Sequence, residues 1–158
     1  MDAVTRWIHV VALAVYLGAT LDVVLVFLPA LESLDDPAAQ RRLLARGLRV
    51  YNVLSVGALG VLVISGASAL TDLKAALGPA FGNLLWRLVA KLSLTFVLVL
   101  VATWFSFGLA HRLVRAELGR LPVEAERQAG MMRRMRAAGW IGIAVAAWTA
   151  WIGVQLPR

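Results

Sequence analysis

A few ionisable and phenolic side chains interrupt otherwise apolar sequence, and any chemistry this chain performs must start from them: His9, Tyr16, Asp22, Lys91 and His111. Imidazole titrates near neutrality and binds metals, and lysine offers a compact cation that can anchor an anion. His9 lies about one helical turn inside the start of the first apolar run, and Lys91 about two turns inside the start of the third. Both runs enter from the same side, so the imidazole and the ammonium share a depth. Ionisable groups at such a depth are costly and normally face a partner, a cavity or a ligand. We therefore read His9 as a candidate metal or cofactor ligand, and Lys91 as a candidate catalytic or cofactor-binding group. The structural alternatives are a histidine hydrogen-bonded to a neighbouring helix and a lysine that snorkels to the interface. Arg87, one turn before Lys91, already provides an interfacial anchor. Tyr16, about two turns beyond His9 on the same helix face, is expected to line the same cavity.

Asp22 belongs elsewhere. It lies roughly 20 Å from His9 by helical rise, on a different face. Asp22 is expected to form a structural ion pair or hydrogen bond with Arg49, Asn52, Arg136 or His111; the alternative is a proton-relay position. His111 reads as interfacial. Met131, Met132 and Met135 cluster beside the fourth run. Thioethers suit Cu(I), but the flanking arginines repel cations, and a flexible amphipathic interfacial turn is the favoured reading.

The elements that must hold these groups follow from composition. Of the 158 residues, 61% are hydrophobic, mean hydropathy is +0.79, and there is no cysteine. Soluble domains are nearer half apolar, so this is an integral membrane protein. Without cysteine, disulfides, thiolate metal sites and cysteine catalysis are excluded. The net charge of +7 resides in the connections, without an aromatic-interleaved basic patch, which argues against a nucleic-acid partner. Four apolar runs occupy residues 7–30, 50–71, 84–110 and 137–156. Each is long enough to cross a bilayer as a helix, and lipid permits only helices or closed barrels. The first run is too long for a signal-peptide core and is read as a permanent span.

The expected fold is all-α: a single transmembrane domain over residues 1–158, a four-helix bundle with spans near 5–31, 47–72, 84–117 and 131–156. Asp35-Asp36-Pro37 provides a start signal for an extension of the second helix. Gly78-Pro79 and Gly82-Asn83 punctuate the next connection, and Gly119 to Pro122 breaks the third helix. The connections between spans one and two and between spans three and four carry most of the arginines, among them Arg41, Arg42, Arg46, Arg49, Arg133, Arg134 and Arg136. The positive-inside rule makes that side cytoplasmic and puts both termini outside. Trp7, Trp86, Trp148 and Trp151 then mark the outer interface. Small residues recur on the second span and as Gly142, Ala146 and Ala150 on the fourth. They fit close helix packing, or room for a flat cofactor.

Trp7-Ile8-His9, Gly18 and Leu28-Pro29 resemble the first helix of CopD-domain and HemJ-type membrane proteins. The stretch from Arg49 to Ser65-Gly66 is similar to their second helix. Gly82-Asn83-Leu84-Leu85 and Ala90-Lys91-Leu92 resemble their third-helix signatures. The resemblance covers most of spans one to three; the fourth lacks the Asn-Glu…Pro pattern of the HemJ type. It implies a bacterial plasma-membrane protein with one of two roles. The HemJ type binds haem b and oxidises protoporphyrinogen IX, which would make His9 a haem ligand and put Lys91 in the same site. The CopD type is linked to copper uptake or resistance. Copper handling wants several His, Met or Cys along a path, and this chain has two His, no Cys and no Met inside the four apolar runs. Haem fits better, since a helix bundle can hold a porphyrin with imidazole as axial ligand. A non-catalytic subunit of a larger membrane complex, or a homo-oligomer, is the remaining expectation. Whether the chain is an enzyme stays open at this point.

Overall fold

A computed structural model describes residues 3–110 and 125–155. Among them there is no strand, and four helices are long and apolar enough to cross a membrane. Helix α1 spans Ala3–Glu32, α2 Pro37–Leu77, α3 Leu85–Thr103 with a π-helical continuation over Trp104–Ala110, and α4 Ala125–Val154. The chain is therefore an all-α, four-helix transmembrane protein. The expected end of the third span (111–117), His111 and the Gly119–Pro122 break lie outside the described residues.

The joins are shorter than the apolar runs imply, because the helices outrun the membrane. At the arginine-rich end, only residues 33–36 separate α1 from α2. Asp36 is the N-cap: its backbone is extended (φ −87°, ψ 108°), and its Oδ1 accepts the Ala38 N–H at 2.8 Å. Pro37 follows at the first helical position, where a missing N–H costs nothing and the fixed φ already suits a helix. The Gln40 amide donates to the Leu31 carbonyl at 2.9 Å, pinning the hairpin shut. At the other end α2 stops at Gly78, whose φ of +48° favours a residue without Cβ. A 3-10 turn, Gly78–Leu84, then leads into α3.

Helix α1 packs along α2 and α3 along α4, and α1 also meets α4, so the bundle is two antiparallel hairpins joined mainly through α1. Lipid supplies no hydrophobic drive between helices, so association rests on close van der Waals approach and interhelical hydrogen bonds. Glycines make that approach possible. The Phe27 ring occupies the space above Gly47, and Val24 occupies that above Gly139. The Tyr16 hydroxyl lies 3.1 Å from where a Cβ on Gly142 would stand. Two apolar clusters result. One, at the arginine-rich end, joins Leu28, Leu48, Tyr51, Phe105 and Met135; the other, near mid-bundle, joins Ala12, Tyr16, Leu62, Leu98 and Ala146. Met132 and Met135 are therefore buried core residues on a regular helix, not members of a flexible interfacial turn. Trp7, Trp86, Trp148 and Trp151 point outward, as an interfacial belt requires.

Two π-helical segments, Val23–Phe27 in α1 and Trp104–Ala110 in α3, break the regular ladder. Each inserts an extra residue per turn and re-aims the side chains beyond it.

Val24 is 2% exposed, and a β-branched side chain in a helix has essentially one χ1, so it cannot yield to a methyl on Gly139. Gly139→Ala is expected to destabilise the bundle by about 1–3 kcal/mol. Gly57→Ala, where an added Cβ meets nothing within 4 Å, should be neutral or slightly stabilising. Unfolding of both variants in mixed micelles checks this, and Val24→Ala in the Gly139→Ala background should recover much of the loss.

Candidate functional site

His9 and Lys91 lie at one end of the bundle, the end opposite the arginines. His9 is half-buried on α1, and its Nδ1 is 2.7 Å from the Ser65 hydroxyl on α2. That hydroxyl donates to the Val61 carbonyl at 2.6 Å. A carbonyl can only accept, so the serine proton is committed to Val61. The short contact to His9 then requires Nδ1–H to donate to Ser65 Oγ. The consequence is a defined tautomer, with the lone pair on Nε2 and available to a ligand. Beside the ring, the bare backbone of Gly66 leaves Cε1 3.7 Å from a would-be Cβ. Histidine hydrogen-bonded to a neighbouring helix was the structural alternative at sequence level, and this bond is present; it fixes the ring without consuming both nitrogens.

Lys91 reaches across from α3. Its Nζ lies 3.2 Å from the position a Cβ on Gly153 of α4 would take. The ammonium thus rests against an α4 backbone stripped of its side chain, and no described carboxylate pairs with it. One turn further out, Arg87 Nη1 donates to the Gln155 carbonyl at 3.2 Å and ties α3 to the end of α4. Arg87 is the anchor the sequence implied, which leaves Lys91 without that duty. This end therefore combines a half-buried imidazole, a serine hydroxyl and an ammonium with no described carboxylate partner, flanked by Gly66 and Gly153. That set can ligate a metal through Nε2 and hold an anion on Nζ. No group of three or more His, Cys, Asp or Glu able to hold a bare metal ion occurs among the described residues.

Tyr16 is on the expected face but too deep. It is 1% exposed, and its hydroxyl sits against Gly142, roughly 16 Å along α4 from Gly153. Ala12, Leu62, Leu98 and Ala146 belong to the same buried cluster, so Tyr16 is a core residue and its phenol is kept away from His9 and Lys91.

Asp22 and Arg136 are not brought together. Arg136 Nη2 is 2.8 Å from Glu32 Oε2. Asp22 is exposed on the flank of α1 that also carries Val15 and Gly18, and neither Arg49 nor any other described residue pairs with it. The ten residues from Asp22 to Glu32 turn the helix onto another face, and the π-helical segment adds to that rotation.

The sequence reading missed a second polar cluster between the crevice and the arginine-rich end. Thr20 Oγ1 donates to the Tyr16 carbonyl at 2.8 Å, and the Tyr51 hydroxyl, 3.4 Å away, donates to Thr20 Oγ1. Tyr51 also packs its ring against Phe105, with centroids 4.9 Å apart and a 53° tilt. Asn52 Oδ1 and Ser106 Oγ are buried near this pair without a hydrogen-bond partner. Single hydroxyls in an apolar span carry little sequence signal, because helices tolerate them by bonding back to their own carbonyls.

Removing the Ser65 acceptor tests the tautomer assignment. With 15N-labelled histidine, wild-type His9 should show a protonated Nδ1 and an unprotonated Nε2 by NMR in lipid at neutral pH. Ser65→Ala should lose that preference, while the fold survives the deletion of one hydroxyl.

No protein-family model matches the sequence, and no curated protein or solved structure is significantly similar to it.

Proposed function

We propose that the His9–Lys91 crevice binds haem b or a closely related porphyrin and that the protein serves a redox role of the protoporphyrinogen-oxidising kind. The observation that carries this reading is an imidazole whose Nδ1 is tied to Ser65 at the same end of the bundle as an ammonium that pairs with no described carboxylate. A porphyrin is a flat apolar disc with carboxylates on one edge. Its requirements are a narrow apolar slot, one nitrogen ligand for the iron and a cation for the carboxylates. His9 Nε2 supplies the nitrogen, Lys91 Nζ the cation, and Gly66 and Gly153 leave the helix backbones bare beside them. The residues present fit the group. When bound, haem would contribute one-electron chemistry at iron; the chain contributes an imidazole held by Ser65 and a cation positioned by Gly153. The resemblance of the first three spans to HemJ-type proteins points the same way. In a bacterial plasma membrane oriented by its arginines, the crevice opens toward the outer leaflet.

The copper reading is weaker. The sulfurs of Met132 and Met135 are packed into the apolar cluster at the arginine-rich end, so they do not line a path that includes His9.

Absorption spectroscopy of the purified protein, oxidised and dithionite-reduced, tests the proposal. Wild type, as isolated or after haem addition, should show a Soret band that shifts on reduction. His9→Ala should lose it. Lys91→Ala should keep the band with at least several-fold weaker haem retention. A wild-type protein that takes up no haem, or an unchanged His9→Ala spectrum, would sink the reading.

A further inference from the structure

On the outer flank of the α1–α2 hairpin, away from the crevice, runs an open groove of about 320 Å³. Its walls include Trp7, Val11 and Val15 of α1 and Val53, Gly57 and Val61 of α2, all apolar. Gly57 deepens it, since nothing lies within 4 Å of where its Cβ would be. Beyond Val15 and Val53 the two helix faces that line the groove continue toward the arginine-rich end. On α1 the same face continues through Gly18, which is exposed and has open space around it, to Asp22. On α2 it continues through exposed Val50 to Arg49 and Arg46. Asp22 lies about 10 Å beyond Val15, and Arg46 about 10 Å beyond Val53, by helical rise. The helices are antiparallel, so both displacements run toward the arginine-rich end. An apolar channel thus terminates in one carboxylate and two guanidinium groups. All three are exposed, and none has a described partner.

We infer that this groove is a binding site for a phospholipid whose head group carries a primary ammonium as well as a phosphate. An acyl chain fills the apolar channel. The phosphate lies on Arg46 and Arg49, which can bind it through several N–H donors, and the ammonium lies on Asp22. Charge complementarity selects this class. A purely anionic lipid would satisfy the arginines but set its charge against the Asp22 carboxylate. A quaternary ammonium head would bring a cation with no N–H to donate. The arrangement also accounts for an aspartate on an outward face: its partner is a lipid, not a second helix of the bundle.

Native mass spectrometry from micelles containing equal amounts of phosphatidylethanolamine, phosphatidylglycerol and phosphatidylcholine tests the inference, and the head-group comparison on wild type needs no variant. Wild type should retain phosphatidylethanolamine several-fold over both competitors. Asp22→Asn should abolish that preference over phosphatidylcholine, Arg46→Gln with Arg49→Gln should lower retention of every phospholipid, and Gly57→Leu should do the same by filling the channel. Phosphatidylglycerol retained as well as phosphatidylethanolamine would overturn the inference, as would retention insensitive to Asp22→Asn. A lipid-free dimer that dissociates in Gly57→Leu would also overturn it, by putting a second copy in the groove. None of these outcomes depends on haem, so the two readings fail separately.

Discussion

The bundle depends on how closely α1 can approach two neighbours at once. In lipid, apolar side chains gain nothing by leaving the solvent for each other, so helices associate where their backbones come near enough for dense contact. Phe27 over Gly47 makes one such approach, to α2; Val24 over Gly139 and Tyr16 beside Gly142 make the other, to α4. These contacts fix α1 between α2 and α4 and thereby join the two hairpins. They also set the rotation of α1, and the rotation decides that His9 looks inward to Ser65 while Asp22 looks outward.

That division gives the protein distinct polar regions with different chemistry. The end opposite the arginines carries His9 bonded to Ser65, and Lys91 against Gly153. Deeper in, Thr20 and Tyr51 form a neutral hydroxyl pair, with the buried oxygens of Asn52 and Ser106 close by in sequence. Ala12, Leu62, Leu98 and Ala146 separate the crevice from that pair. A layer of apolar side chains of this kind interrupts any continuous hydrogen-bonded path between the two ends. The arginine-rich end is held by the Arg136–Glu32 ion pair and by apolar packing around Met135.

Much of the fold was legible before any coordinates. Runs of apolar residues long enough to span a bilayer, Asp36-Pro37 as a helix start and Gly78 as a stop each carry a local physical cause, and each stands in the structure as read. The site was legible in part. Counting residues assigned His9 and Lys91 to the same end of the bundle, and the structure puts His9 beside Ser65 and Lys91 beside Gly153. Tyr16 was assigned to the right face, but face alone does not say where a long side chain ends, and its hydroxyl lies against Gly142. The methionines were misplaced because they fall just before the fourth apolar run and were read as an interfacial turn, whereas Met132 and Met135 are buried on α4.

What the sequence determined by itself is the class of molecule: an all-α, four-span membrane protein with a histidine and a lysine at matched depth. Hydropathy, helix length and capping are local properties, and they survive without knowledge of neighbours. What only the tertiary structure decided is which groups meet. Ser65 holds His9 Nδ1, Gly153 makes room for Lys91, Glu32 takes Arg136, and Asp22 is left exposed. These outcomes depend on the rotation of each helix about its own axis, and that rotation is set by side-chain packing between segments distant in sequence.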